Sequence, residues 1–294
     1  MNNISELYKQ WVNYQKTILK QLNIQDIDNF KDNQVSSFYF EYYFRVLPQM
    51  QYEIYLSKEL ISNPLYENFK SIIETIKQKA INSENLKPYL SKGIKNLKKP
   101  DGMFNDWGIY HFHLGDELLS NGFIKRTNEL LFFYRDFKLN PNKLYFLDIY
   151  NHGNWSKRKT IEIMHNNWQT AIDFYKIKDM VDIKPKLNDE EHQLIRDANM
   201  NSAVVLDDGT SYIMLGGGIT MAGTNQEATM LEMQYMKYFR NLENNLINKY
   251  KIDKKQLILK IEYNISYIYL NIPYLNEKEK IESLNNLILL DVNQ

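Results

Sequence analysis

The sequence predicts an α+β fold, with a helical unit first, a small antiparallel sheet with a helix in the middle, and a second αβ unit at the end. Three patterns support this prediction. Apolar residues recur at three- and four-residue steps in residues 4–22, which is typical of amphipathic helices. Two short aromatic-rich runs follow at residues 129–136 and 144–150, and strand and helix patterns alternate after residue 200.

The first hundred residues predict helices. Residues 4–22 form one amphipathic stripe, and the aromatic-rich residues 36–48 are expected to form a helix that Pro48 ends. Asn63 is a candidate N-cap, with Pro64 at the first helical position of another stripe. We therefore expect a helical domain over residues 1–100.

The period changes in the central part of the chain. Residues 110–114 alternate, and the runs "ELLFFYRD" and "LYFLDIY" are separated by Asn140, Pro141 and Asn142. This arrangement predicts a strand followed by a hairpin with a turn of several residues. A helical period returns after Ser156, a candidate cap, so that residues 101–180 are expected to form a sheet-and-helix domain.

The last part of the chain, residues 181–294, predicts a third, α+β domain. A linker is expected at residues 176–191, and Asp208-Gly209 is the expected turn of a hairpin. A capping box at Thr224 and Glu227 predicts a helix. A strand pair is expected over residues 256–272 and a closing helix over residues 276–290.

The composition excludes several classes of protein. The chain has no cysteine, which rules out disulfides, thiolate zinc sites and a cysteine nucleophile. Its first residues lack the apolar core of a signal peptide, and no run approaches the ~18 apolar residues of a membrane span. With 44% hydrophobic and 24% charged residues the composition is globular, and we expect a cytoplasmic protein that has no membrane partner.

The net charge is zero, but positive charge is concentrated in the centre. Residues 120–160 hold eight Lys and Arg against three acidic residues. Such a region attracts phosphate even when the whole chain is neutral, although it is also typical of an ordinary solvated face. The candidate phosphate-binding residues are Lys125, Arg126 and Arg135.

Four of the five histidines lie between residues 111 and 165. On a strand, His111 and His113 face the same side, and two groups that titrate near a pKa of ~6.5 can divide acid and base duties. His152 directly follows the second hairpin strand, where it can line a cleft. His165 is expected to be a hydrogen-bonded core residue, and the alternative for His111 and His113 is a structural role of the same kind.

A metal site is the second interpretation of these histidines. The His-x-His spacing of His111 and His113 suits a metal ion, with His152 as a third ligand. The barrels of amidohydrolase-type enzymes also use this spacing, but a hundred helical residues precede it here. A His-ligated, metal-dependent hydrolase therefore stays as an alternative, whereas the preferred interpretation needs no metal or other cofactor.

Helices followed by "RTNELLFFYRDF" and "KLYFLDIYNHGNW" resemble the helix–helix–sheet plan of the RelE/ParE-type toxin ribonucleases, over about residues 105–175. In that family a basic, aromatic-rich sheet face cuts RNA without a metal. The resemblance implies phosphate and proton-transfer roles for Arg126, Arg135 and His152. The chain is far longer than such toxins, and its His-x-His is not a hallmark of the family. The extra length is more typical of an abortive-infection or phage-defence protein.

The sequence thus predicts a metal-independent endoribonuclease with RNA as its substrate and a protein partner, such as an antitoxin, as a regulator. The expected catalytic residues are His111, His113, His152 and Tyr134, the last as a hydrogen-bond donor. The alternative from another class is a non-enzymatic interaction module with structural histidines. Residues 216–218, three glycines before a helix, suit either an anion site or a turn that needs positive φ.

Overall fold

The structure is a computed structural model that describes residues 4–24, 26–96, 101–153, 157–178, 184–261, 268–272 and 277–280. The helices are α1 (Glu6–Gln21), α2 (Asp32–Arg45), α3 (Lys58–Ser62), α4 (Tyr66–Ile81), α5 (Gly102–Trp107), α6 (Lys159–Ile172), α7 (Asp189–Asp197) and α8 (Gln226–Tyr250). The strands are β1 (Glu53–Leu56), β2 (Ile109–His113), β3 (Glu129–Asp136), β4 (Asn140–Asn151), β5 (Ala203–Val205), β6 (Ser211–Ile213), β7 (Ile258–Ile261), β8 (Ile268–Ile272) and β9 (Glu277–Lys280). The chain is therefore an α+β protein, as the sequence predicted.

The chain divides into two compact units, one formed by Met1–Tyr43 with Ala228–Asn293 and the other by Phe44–Glu227. The first unit contains α1, most of α2, most of α8 and the antiparallel strands β7, β8 and β9. In its core the fully buried Trp11 stacks on Tyr235, with ring centroids 5.5 Å apart. Both ends of the chain thus contribute to one unit.

The second unit is built on a four-stranded sheet in the order β1-β4-β3-β2. β1 runs parallel to β4, and the other neighbours are antiparallel. One face of the sheet is covered by α6 and by the β5–β6 hairpin, through a core that includes Phe132, Ile161, Met164 and Tyr212. This burial of large apolar side chains is the main stabilising contribution to the unit.

α5 and α7 are joined by a buried ion pair. Arg196 Nε donates to the Asp106 carboxylate at 2.9 Å, and both side chains are 3% exposed. The Arg196 guanidinium also lies 3.8 Å from the centre of the Trp107 ring. The glycine turn after β6 packs on the same helix, because a Cβ at Gly216 would come within 1.8 Å of the Phe104 carbonyl oxygen.

Most predicted elements are confirmed. The helices α1, α2, α4 and α6 and the hairpins β3–β4 and β5–β6 lie in the predicted segments. Four predictions need correction. The first hundred residues also contain β1, α7 begins inside the expected linker, and Glu277–Lys280 pairs with β8 instead of starting a helix. Asn63 is the C-cap of α3 and not the N-cap of α4, which begins at Tyr66 because the chain turns between the two helices. Ser156 and the rest of the expected closing helix lie outside the described residues.

The two compact units differ from the domain segments expected at residues 1–100, 101–180 and 181–294. The physical reason is long-range pairing: β1 completes a sheet whose other strands lie beyond residue 100. Arg196 similarly joins the central part of the chain through its ion pair with Asp106.

Candidate functional site

Three histidines lie at one end of the same sheet face. In the β2–β3–β4 register, His113 is opposite Leu130, which is opposite Tyr150. Opposite residues of antiparallel strands share a face, and His111 shares it too, being two positions from His113. The ring centroids of His111 and His113 are 5.8 Å apart. The predicted common face of the two imidazoles is therefore confirmed.

His152 follows the last residue of β4 and lies close to this pair. It is two residues beyond Tyr150, and its backbone N–H donates to the Asn128 carbonyl at 2.6 Å. The side chain of His152 is exposed. Its charge contributes to the lowered pKa of both His111 and His113, which indicates that the three imidazoles interact.

His113 is buried without a hydrogen bond in the described structure. Its side chain is 2% exposed, and neither Nδ1 nor Nε2 has a partner. A buried polar group that lacks a partner costs about 1–3 kcal/mol, so that most such groups in folded proteins are paired. His113 shares this lack of a partner with other buried groups of the described residues, such as His192 Nε2 and Trp107 Nε1, and is distinguished from them by lining a cavity.

The His113 ring borders a cavity of about 180 Å³. The walls come from residues 87–95, which we call the lysine segment, and from residues 114–128, which we call the β2–β3 loop. The lining residues are Leu90, Lys92, His113, Leu119, Asn121, Phe123, Ile124 and Arg126. The lining thus combines apolar side chains with His113 and two exposed cations, Lys92 and Arg126.

The β2–β3 loop folds as a small hairpin of its own. Leu118 pairs with Ile124, and the turn between them has Gly122 at φ +81°. Gly115 allows the two arms to meet, since a Cβ there would lie 2.3 Å from the carbonyl oxygen of Lys125. This close approach holds the lining residues of the loop in place.

The lysine segment packs along this loop. The Ile124 N–H donates to the Pro88 carbonyl at 2.8 Å, and an Arg126 Nη donates to the Ser91 hydroxyl at 3.5 Å. The Lys95 ammonium lies 5.5 Å from the centre of the Phe123 ring. Two 3₁₀ turns, Lys87–Tyr89 and Lys92–Lys95, give the segment its shape.

The electrostatics favour neutral imidazoles at neutral pH. Burial, together with the charges of His111, Arg126 and His152, lowers the pKa of His113 to about 4. Burial likewise lowers the pKa of His111 to about 4, although Asp101 opposes this change. At pH 7 both rings are therefore neutral, and each is a weaker base than a free imidazole.

Two of the predicted phosphate-binding residues lie away from the cavity. Lys125 is exposed, and its ammonium pairs with Glu117 at 2.9 Å. Arg135 is 3% exposed, and its Nε donates to the Pro141 carbonyl at 2.9 Å. Of the three predicted cations, the structure brings only Arg126 to His113, because the others already have partners elsewhere.

Tyr134, the predicted hydrogen-bond donor, is also remote from solvent. Its side chain is 0% exposed and belongs to the core between the sheet and α6. Burial raises the pKa of this phenol well above its usual value, and the nearby carboxylate of Asp136 raises it further. Tyr134 is not among the residues that line the cavity, so the candidate site is narrower than the sequence predicted.

His165 is hydrogen-bonded, as expected. Its Nδ1 lies 2.8 Å from the Tyr212 hydroxyl, and its Nε2 lies 3.2 Å from a carboxylate oxygen of Asp208. The glycines at 216–218 have a structural explanation too. Gly217 and Gly218 have φ near +90°, and Gly216 packs on α5.

In the described part of the chain, no group of three or more His, Asp or Glu side chains is arranged to hold a metal ion. The metal-dependent alternative thus lacks a three-ligand set among these residues. No helix among the same residues is long and apolar enough to cross a membrane. No family model, curated protein or solved structure matches the chain.

The sequence prediction missed Lys92 and Asn121. A signal was present, because residues 85–100 contain five lysines and no acidic residue. The contact of this run with His113 depends on the packing of the lysine segment against the β2–β3 loop, and this packing has no sequence pattern.

Proposed function

We propose that the protein is a metal-independent endoribonuclease and that its active site is the cavity beside His113. One observation supports this proposal above all: His113 lines the same cavity as Arg126 and Lys92. Cleavage of RNA without a metal needs a base, an acid and cations that stabilise the charge on phosphorus. The histidines and the two cations supply these groups.

In the proposed reaction, His113 takes the proton of the ribose 2′-hydroxyl. The 2′-oxygen then forms a bond to phosphorus while the bond from phosphorus to the 5′-oxygen breaks. His152, whose side chain is exposed, donates a proton to the leaving oxygen. Arg126 and Lys92 stabilise the negative charge of the transition state. The products are a 2′,3′-cyclic phosphate and a 5′-hydroxyl.

The volume of the cavity is suited to a small part of a substrate. Pockets for drug-sized ligands and cofactors have volumes of about 300–1,000 Å³. At about 180 Å³, this cavity suits a phosphodiester with part of one sugar.

Several wider expectations belong to the same proposal. The resemblance to toxin ribonucleases suggests a role in toxin–antitoxin or phage-defence systems, with an antitoxin-like protein as the regulator. We place this activity in the cytoplasm, where RNA is available. Each of these expectations stays a prediction.

The direct experiment incubates the pure protein with RNA, with and without a chelator. We expect cleavage in both conditions and a loss of about 10²–10⁴-fold in His113→Asn, as for removal of a general base. His165→Asn is the matched control, because this histidine lies outside the cavity lining. Thermal unfolding of each variant separates lost chemistry from lost folding.

Each of the other outcomes favours a different alternative. Chelator-sensitive cleavage moves the assignment to a metal-dependent hydrolase. No cleavage in either condition contradicts the proposal and leaves the non-enzymatic interaction module as the better interpretation.

A further inference from the structure

The lysine segment continues the positive charge of the cavity to the protein surface. Lys92 lines the cavity and is exposed, whereas Lys95 is half-buried over the Phe123 ring. Lys87 is affected by the charge of Lys95, because burial and this charge lower the pKa of the Lys87 ammonium group. Together with Arg126, these lysines form one basic surface beside His113.

Lys92 and Lys95 differ from several other lysines of the protein, which pair with carboxylates. In the described residues, neither Lys92 nor Lys95 forms an ion pair. On α4, by contrast, Lys70 and Lys77 each pair with a glutamate three residues earlier, both at 3.1 Å. Like charges that are held close together without acidic partners are unfavourable, and a bound polyanion relieves this repulsion.

The cavity limits what can bind to this surface. It has room for about one phosphodiester, so a polynucleotide that enters it must leave its next phosphates outside. The cations outside are those of the lysine segment. A nucleotide of a duplex must leave its base pair and its stacked neighbours before it can enter the cavity beside the buried His113. The free energy for this step is lowest for a strand that is already unpaired.

We infer that the lysine segment binds the backbone phosphates of an unpaired RNA strand next to the bond that lies in the His113 cavity. This inference rests on the proposed function and adds the form of the substrate. Because the lysines contact phosphate, they do not distinguish one base sequence from another. They contribute to the affinity for the strand and to its position on the protein.

The test measures binding separately from cleavage. A labelled 12-nucleotide strand with 2′-O-methyl riboses cannot be cut, and its affinity is measured by fluorescence anisotropy over a series of salt concentrations. The variant is Lys92→Gln with Lys95→Gln. The matched control is Lys70→Gln with Lys77→Gln, which removes two lysines that glutamates already pair.

We expect the Lys92/Lys95 variant to bind at least about tenfold more weakly at low salt. The slope of log affinity against log salt should fall by about 1.4, since each phosphate contact to a single strand contributes about 0.7. The control variant should keep the affinity and slope of the wild type. A duplex of the same sequence should bind at least about tenfold more weakly than the single strand.

The inference is overturned if the Lys92/Lys95 variant keeps the wild-type affinity and slope, or if the duplex binds as tightly as the single strand. These results are distinct from failure of the proposed function. Lysine-dependent binding without any cleavage of ordinary RNA removes the ribonuclease and leaves the strand-binding surface. Cleavage that needs His113 but not the lysines removes this inference and the proposed role of Lys92 in the transition state, and leaves the ribonuclease.

Discussion

At the scale of single residues, His113 combines burial with a lack of partners. A protonated imidazole in that position would be desolvated, and it would also be repelled by Arg126. The ring is therefore neutral at pH 7, which suits a base and not an acid. His152, exposed at the end of β4, is the better candidate for the acid.

The pKa of His113 predicts a dependence of stability on pH. Its folded-state pKa of about 4 lies below the unfolded value of ~6.5. Between these values the unfolded chain binds a proton that the folded chain does not, so the free energy of unfolding falls as the pH falls. His113→Gln should reduce this dependence by up to about 1.4 kcal/mol per pH unit. Urea unfolding at several pH values from 6.5 to 4.5 measures it, and an unchanged slope would contradict the burial of a neutral ring.

At the scale of elements, the buried ion pair between α5 and α7 is the interaction most sensitive to one substitution. Arg196→Met removes the cation and leaves the Asp106 carboxylate in a site where burial already raises its pKa. We expect a loss of about 3–5 kcal/mol in the free energy of unfolding, as for other buried pairs that lose one partner.

The control for the ion pair is Lys125→Gln, which breaks a solvent-exposed pair and should change the free energy of unfolding far less. Chemical denaturation compares the two variants. Equal losses in the free energy of unfolding would show that the Asp106–Arg196 pair stabilises the fold no more than a surface pair does. Asp106→Asn combined with Arg196→Met should recover part of the loss, because the uncompensated charge is then gone.

The β2–β3 loop depends on one glycine. Gly115→Ala places a methyl group 2.3 Å from the Lys125 carbonyl oxygen, so the arms of the loop must separate. We expect a cost of about 1–3 kcal/mol and a large loss of the proposed cleavage, because the cavity wall moves. Gly122→Ala is the control in the same loop. No atom lies within 4 Å of the position that a Cβ at Gly122 would take. Only the positive φ opposes the substitution, and it costs about 1–2 kcal/mol for a residue with a side chain.

Denaturation and RNA cleavage by these two glycine variants test the role of the loop. Should Gly115→Ala keep full cleavage, the loop would not shape the reacting site. If Gly122→Ala lost as much cleavage as Gly115→Ala, strain in the turn and not the close approach would explain the effect.

The elements that could be predicted are those with a clear local period. The alternation of residues 110–114 predicted β2 and the shared face of His111 and His113, and both are present. β1 was missed because it has only four residues and depends on pairing with β4. Lys92 was missed for a similar reason, since its approach to His113 is a contact between segments and not a repeat in the chain.

At the scale of the whole molecule, the two compact units predict where the chain can be divided. The second unit contains all four strands of the main sheet and the Asp106–Arg196 pair. We expect a fragment of residues 44–227 to unfold in one cooperative transition. A fragment of residues 101–180 lacks β1 and Arg196 and should not. Circular dichroism during thermal unfolding tests both, and cooperative unfolding of the shorter fragment would favour the domain boundaries expected from the sequence.

The chemistry of the cut ends tests the central claim most directly. RNA is incubated with the protein in the presence of a chelator, and the ends of the fragments are identified by mass spectrometry, beside a strand in which every ribose is 2′-deoxy. We predict fragments that end in a 2′,3′-cyclic phosphate and begin with a 5′-hydroxyl, with no cleavage of the deoxy strand. Three results would contradict acid–base cleavage by His113 and His152. They are fragments with 3′-hydroxyl and 5′-phosphate ends, cleavage of the deoxy strand, and intact RNA.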